Sequence, residues 1–280
     1  MINMLKVANN IIKNMESKLI NNNSDIEIDK NILKEKLKVG VDLGTRNIVL
    51  TVLDKNNNPV IGAMETANVV KDGIVVDYIK AVDIVCKLKS MVEEKLKINL
   101  NYAATAIPPG IIEGNVRVIQ NVVQGAGFEI INVIDEPEAA SKVLKIKNGA
   151  VVDIGGGTTG ISILQNGKVV FSDDEATGGT HLTLVTSGNF NLSFEEAEKY
   201  KLDPKNHDKV FSLVRPVIEK MANITLNCIS RFDVNSIYLV GGTCCIDGIE
   251  NVFEKYTKVK TFKPYNPLLV TPIGISMSIQ

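Results

Sequence analysis

Two stretches of the chain repeat one pattern of apolar and polar positions. Val41-Asp42-Leu43-Gly44-Thr45 and Val152-Asp153-Ile154-Gly155-Gly156 share the order apolar, Asp, apolar, Gly, and each runs on into a second β-rich segment, Ile48 to Leu53 and Ile161 to Leu164. Both copies then turn into a third strand. The first turn is Asp54 to Pro59; the second is Gln165-Asn166-Gly167, whose Asn-Gly pair favours a tight hairpin. Beyond the first hairpins, Val82, Val85, Leu88, Val92 and Leu96 mark a helix, and Tyr102 to Ile107 reads as a strand ended by Pro108-Pro109. A helix is expected from Glu113 to Gln124, closed by Gly125 or Gly127, then a strand over Ile130 to Ile134, and a helix opened by Asp135-Glu136-Pro137 that leads to Lys147. In the second half Ser193, with Glu196 three residues on, forms a capping box and starts a helix. Pro216 is expected early in a helix through Met221 and Leu226 to Ile229, and Ser236 to Val240 is a strand into Gly241-Gly242.

The first 37 residues differ from this scheme. Met4, Leu5, Ala8, Ile11, Ile12, Met15, Leu19 and Ile20 recur at three- and four-residue spacings, which predicts an amphipathic helix of about five turns. Residues 21–31 are polar apart from Ile26 and Ile28 and read as a linker. The helix either folds back onto the body or offers its stripe to a partner. The expected organisation is therefore residues 1–37 as helix plus linker, 38–148 as a first domain completed by 263–280, and 149–262 as a second.

A glycine-rich tip between two strands has chemistry to offer. Glycine lets backbone N–H groups approach an anion, threonine hydroxyls add donors, and an aspartate at the strand end can hold a divalent cation through water. The alternative is a plain hairpin turn, and the duplication favours the anion site. Composition removes other classes. A net charge of −1 over 280 residues leaves no basic footprint for nucleic acid. Cys86, Cys228, Cys244 and Cys245 have no paired spacing, His181 and His207 have no ligand partners in sequence, and there is neither a cleavable signal nor an apolar run long enough to span a bilayer. A cytoplasmic protein with reduced thiols and no resident transition metal is expected.

These segments resemble, in order, the motifs of the actin-like ATPase superfamily, which includes actin, DnaK-type chaperones, sugar kinases, MreB and FtsA. Asp42-Leu43-Gly44-Thr45 matches its first phosphate motif and Glu136-Pro137-Glu138-Ala139-Ala140 its connecting helix. Asp153 to Thr158 matches the second phosphate motif, Gly241-Gly242-Thr243 the adenosine motif and Thr271 to Ile275 the final helix. A closer resemblance, over roughly residues 38 to 280, is to the EutJ family of ethanolamine utilisation. It rests on Val70 to Asp77, Ala103 to Gly110 and Asp174 to Gly179.

The resemblance implies an α/β fold of duplicated ribonuclease-H-like domains with a nucleotide cleft between them, taking ATP and Mg²⁺. It implies phosphate contacts at Gly44, Thr45, Arg46, Gly155, Gly156, Gly157 and Thr158, further nucleotide contacts at Asn47, Gly178 and Gly179, and adenosine contacts at Glu198, Lys201, Gly241, Gly242 and Thr243. Glu198 and Lys201 have the alternative of being ordinary exposed helix charges. Asp42 and Asp153 would face Mg²⁺; Glu136 and Asp153 would serve catalysis, Glu136 by orienting or deprotonating the attacking water. Two positions depart from the chaperone pattern: Gly160 stands where a second aspartate is found, and Arg46 where a hydroxyl residue is found. No chaperone-type catalytic lysine is carried over, because the interval from Met64 to Ala81 is too short for the insert that bears it.

The implied function is an ATP-binding, slowly hydrolysing, chaperone-like protein of ethanolamine utilisation and its microcompartment, whose partners are client or shell proteins or further copies of itself. A MreB- or FtsA-like polymerising scaffold is the alternative, and a small-molecule kinase ranks below both. The terminal helix and linker resemble cargo segments of microcompartment proteins, so residues 1–31 are expected to direct the protein to the shell.

Overall fold

The computed structural model describes residues 2–20, 26–29, 31–71 and 73–280, with the side chains of all of these except residues 2–4 and Leu33. The Met4 side chain of the expected stripe, residues 21–25 and 30 of the expected linker, and Asp72 of the EutJ-like stretch lie outside the described residues. The chain divides into two compact units, residues 1–146 with 264–280 and residues 147–263.

In the first unit a helix, α1 (Ile2–Ser17), precedes an antiparallel meander of β1 (Lys38–Leu43), β2 (Asn47–Leu53) and β3 (Pro59–Thr66). A small hairpin, β4 (Val70–Lys71) and β5 (Ile74–Val75), leads to α2 (Tyr78–Leu96), β6 (Tyr102–Ile107), α3 (Glu113–Gly125), β7 (Glu129–Asp135) and α4 (Glu136–Leu144). The sheet order is β3-β2-β1-β6-β7, with β6 and β7 parallel to β1. Alternation along β1 sends Val39 and Val41 into a core with Val85, Leu88 and Val92 of α2. Asp77 starts α2 by accepting from the Lys80 N–H.

The second unit repeats this plan. Strands β8 (Gly149–Ile154), β9 (Thr159–Gln165) and β10 (Lys168–Glu175) form the meander, followed by α5 (Gly179–Phe190), α6 (Phe194–Leu202) and α7 (His207–Ile229), then β11 (Ser236–Val240), α8 (Ile249–Thr257) and β12 (Lys260–Phe262). The order β10-β9-β8-β11-β12 matches that of the first sheet, strand for strand. Asn166 and Gly167 both take positive φ, 52° and 78°, as the predicted Asn-Gly hairpin demands. Val152, Ile154, Ile161 and Ile163 meet Leu182 of α5 and Val214, Ile218 and Met221 of α7 in a second core.

The chain then returns to the first unit through α9 (Val270–Met277), which lies against β1 and β2. The buried Thr51 hydroxyl donates to the Pro272 carbonyl at 2.9 Å and meets Ser276 Oγ at 2.7 Å. Gly40 is required beneath this helix, since a Cβ there would lie 2.6 Å from Ser276 Oγ.

Several expectations are corrected. The N-terminal helix is not a separate arm: Ala8, Ile12 and Met15 are fully buried, and α1 packs on β3 with further contacts to α4 and α9. Leu19 and Ile20, expected in the helix, leave it because the backbone finds better partners in a strand. The Ile20 N–H donates to the Gly62 carbonyl at 2.9 Å, and the Gly62 N–H donates to the Lys18 carbonyl at 3.0 Å. Tyr265 N donates to Asn9 Oδ1 and Asn266 Nδ2 to Glu16 Oε1, so the polar flank of α1 is tied down as well. Nor are the described residues after it a solvated linker, for Ile26 and Ile28 pack against the first core. Helix α4 stops at Leu144 instead of reaching Lys147, since Lys145 turns left-handed (φ 54°) and the Ile146 N–H closes back on the Ser141 carbonyl at 3.1 Å. Helix α7 begins at His207, well before Pro216, which sits inside it. A 3-10 turn over Pro204–Asn206, capped by Asp203, delivers the chain into α7 and supplies the start that the proline was expected to mark.

Candidate functional site

In the second unit, parallel pairing of β8 with β11 sets Asp153 opposite Val240, which brings the turns after both strands to one sheet edge. Such an edge, at the carboxyl ends of parallel strands, is where open α/β sheets place ligands. The β8–β9 turn is Gly155 to Thr158, closed by the Gly155 N–H donating to the Thr158 carbonyl at 3.1 Å. Among the described residues, no partner takes the N–H of Gly156, Gly157 or Thr158. Three successive amides in one turn are donors of the kind that hold anions.

That turn is braced from behind. The Gly179 N–H and the Thr243 hydroxyl both donate to the Gly155 carbonyl, at 2.9 and 2.8 Å, and the Thr180 N–H donates to the Gly156 carbonyl at 2.8 Å. The first amides of α5 are therefore spent on the turn's carbonyls. Gly178 and Gly179, expected as nucleotide contacts, have a packing role: a Cβ on Gly178 would lie 2.6 Å from the Gly157 carbonyl carbon, and one on Gly179 would collide with the Thr243 hydroxyl. The Gly178 N–H is held by His181 Nδ1 at 3.3 Å. Gly241, with φ 89°, abuts the Asp153 carboxylate and the Ile154 carbonyl and leaves no room for a side chain. Gly242 is exposed on the same turn.

Glu198 and Lys201 join this cluster. They pair at 2.7 Å with side chains only 14% and 9% exposed, which rules out ordinary surface charges. Lys201 Nζ also donates to Thr183 Oγ1 at 2.8 Å and to the Gly179 carbonyl at 3.4 Å, while Thr183 donates to Glu198. The pair is thus anchored to the first turn of α5 beneath the glycine turn. Beside Asp153, burial and the neighbouring carboxylate push the Cys244 thiol well above its ordinary range, so it stays protonated and is a poor metal ligand.

In the first unit, the parallel register of β1, β6 and β7 brings Asp42 and Glu136 to one sheet edge. Glu136 is the first residue of α4, ahead of Pro137, and burial raises Asp135 before it. The β1–β2 turn carries Gly44, Thr45, Arg46 and Asn47. Arg46 donates to Asn68 Oδ1 at 2.8 Å, which uses one of its five N–H groups, and Asn47 Oδ1 accepts from the Thr66 hydroxyl.

Sequence reasoning missed His181 and Thr183. His181 lies three residues after Gly178, the position from which a side chain reaches back to cap a helix start, and Thr183 lies one turn after Gly179, where its hydroxyl bonds back to the carbonyl. Both signals were present once α5 was known to begin at Gly179. Among the described residues no group of three or more His, Cys, Asp or Glu could hold a metal by itself, and no helix is long and apolar enough to cross a membrane.

A family model for type IV pilus assembly protein PilM matches residues 137–270, and one for MreB/Mbl protein matches residues 60–186. The chain is 41% identical to ethanolamine utilization protein EutJ of Salmonella typhimurium over 243 residues, 86% of this chain and 85% of that protein. The crystal structure of EutJ from Carboxydothermus hydrogenoformans superposes with a TM-score of 0.90 at 44% identity, covering 98% of each chain. MreB5 of Spiroplasma citri, solved bound to ADP, shares the fold at a TM-score of 0.69 and 18% identity, covering 87% of this chain and 96% of that one. The expected fold class, duplicated α/β in the actin-like ATPase manner, is the fold found. On a relationship of this extent, the chain belongs to the EutJ family of ethanolamine utilization proteins.

Proposed function

We propose that the chain binds ATP with Mg²⁺ and acts in ethanolamine utilisation as a nucleotide-dependent, chaperone-like protein with slow hydrolysis. The observation that carries this reading is the braced glycine turn, whose amides at Gly156, Gly157 and Thr158 have no partner among the described residues. Gly241, Gly242, Thr243, Glu198 and Lys201 lie on the same unit and are proposed for the adenosine side. Gly178 and Gly179 act by packing that turn. On the first unit Gly44, Thr45, Arg46 and Asn47 are proposed phosphate contacts, and Asp42 and Asp153 the carboxylates toward Mg²⁺. Two carboxylates suit that ion, since a cation that keeps most of its waters needs only one or two of them nearby. Bound there, Mg²⁺ supplies charge neutralisation for the phosphates.

Glu136 is proposed to orient the attacking water, its place at the start of α4 holding the carboxylate at the sheet edge. Glycine at position 160 leaves that strand without the carboxylate of the chaperone pattern, which supports slow turnover. Likeness in fold to MreB5 supports a second reading, a nucleotide-dependent scaffold of many copies. Association with a microcompartment belongs to the proposal and is supported by the family's pathway alone.

The test is thermal unfolding of the full chain with ATP and Mg²⁺, because a ligand that binds only the folded state raises Tm by mass action. A rise at millimolar ATP is expected, lost in Asp153→Ala and Gly156→Val. No rise in the unmodified protein rejects the site. Sedimentation under the same conditions separates the readings, since a scaffold moves to large species with ATP and a chaperone-like protein does not.

A further inference from the structure

Residues 177–180 run along the glycine turn and are bonded to it at three places. The Thr159 hydroxyl donates to the Thr177 carbonyl at 2.6 Å, and the N–H groups of Gly179 and Thr180 reach the Gly155 and Gly156 carbonyls at 2.9 and 2.8 Å. Between them Gly178 is buried and extended (φ −144°, ψ −164°), so close to the turn that a side chain on it would strike Gly157 and Thr158. Packing therefore demands glycine at the place where this strip has to keep one conformation, and glycine is the residue least restrained in φ and ψ. The Gly178 N–H does not bond the turn. Among the described residues its partner is His181 Nδ1, at 3.3 Å, reaching back from the third residue of α5. A buried donor left without a partner costs more than a made bond gains. Without the ring, Gly178 is pressed to rotate its amide toward water, which draws the strip off the carbonyls it braces.

Resting on the nucleotide reading above, we propose that His181 is a positioning residue for the phosphates: its ring latches Gly178 and so keeps the Gly155–Thr158 turn in the shape that meets an anion. It acts through Gly178. An unlatched turn has to be ordered at the moment of binding, which lowers affinity without removing a ligand contact. Glutamine is a common side chain for closing a cap from the third helical position, so His181→Gln keeps an acceptor for the Gly178 N–H and His181→Ala does not.

Two measurements on the full chain test this. The first is hydrogen exchange without nucleotide, read by mass spectrometry on the peptide that contains Gly178. Exchange there should be roughly 5-fold faster in His181→Ala than in the unmodified protein or His181→Gln, the worth of one neutral hydrogen bond. The second is calorimetric titration with ATP and Mg²⁺, in which affinity should fall by a similar factor in His181→Ala and return in His181→Gln. A residue that only stabilised the helix would lower Tm and leave that affinity alone. Equal exchange in the three proteins overturns the latch. Faster exchange with unchanged affinity overturns the positioning role, and a loss that His181→Gln does not restore overturns the hydrogen bond as its cause. If the unmodified protein binds no ATP, the nucleotide reading falls and the positioning role with it, whereas the latch is decided by the exchange alone.

Discussion

Ile12 tests whether the first helix is part of the body. The side chain is fully buried against β3, between Ala8 and Met15, which are buried to the same degree. Ile12→Ala removes three carbons from a packed contact and leaves a cavity, at a cost of about 2–5 kcal/mol. With about 2–4 °C lost per kcal/mol in a unit of this size, Tm should fall by at least about 4 °C. Val7 is the control: on the same helix but 44% exposed, it should cost no more than about 0.5 kcal/mol as Val7→Ala. Differential scanning calorimetry is the assay, because two units can unfold in separate transitions and only the first should move. Equal melting curves for Ile12→Ala and Val7→Ala would refute the docked helix. The result bears on shell targeting, for the stripe expected to seat in a shell protein is the stripe that faces β3. Ile12→Asp would read out stability before it read out targeting, and a targeting test belongs on the outward residues Lys6, Val7 and Asn10.

Two further outcomes follow from local chemistry. Burial and the bond to Asp173 push the Cys228 thiol up to about 11, and burial raises Cys244 well above its usual range, whereas Cys245 is exposed. Iodoacetamide at neutral pH should therefore label Cys245 and spare Cys228 and Cys244 until denaturant is added, as read by peptide mass spectrometry; labelling of Cys228 as fast as Cys245 would contradict this. The Ser193 hydroxyl and N–H both donate to Glu196 and hold its carboxyl below the ordinary range. A depressed acid stabilises the fold above its unfolded pKa and loses that contribution as pH falls through the folded value. Glu196→Ala should lower Tm at neutral pH by an amount that fades in acid below the usual glutamate range, and a difference constant with pH would show the capping box to be uncharged in effect.

The repeated strand pattern was legible because the order apolar, Asp, apolar, Gly recurs at Val41 to Gly44 and Val152 to Gly155, each followed by an apolar run. Helix α5 was not legible. Gly179-Thr180-His181-Leu182-Thr183 reads as a loop by propensity, and only the bonds of its first amides to the glycine turn make a helix start there. The same contact explains why Gly178 and Gly179 read as nucleotide contacts: sequence shows that glycine is needed but not whether a ligand or a neighbouring turn needs it. Glu198 and Lys201 were named as a pair from the family resemblance, yet their contacts to Thr183 and the Gly179 carbonyl are not revealed by it. The docking of α1 was left open because an apolar stripe states that it wants a partner surface without saying whose.

Gly62 carries a consequence for any shortened form of the protein. It lies in β3, the outer strand of the first sheet, and both its N–H and its carbonyl are taken by residues 18 and 20. A Cβ there would press 2.9 Å from Leu19 and 3.1 Å from the Met15 sulfur, so the absence of a side chain is what lets the N-terminal segment lie flush. The segment is thus a seal on a sheet margin. Unsealed strand margins recruit strands from other molecules, and a protein trimmed through residue 20 presents one, bordered by the apolar patch that Ala8, Ile12 and Met15 had covered. Self-association of such a trimmed protein would reflect a bared margin and would say nothing about whether the intact chain polymerises.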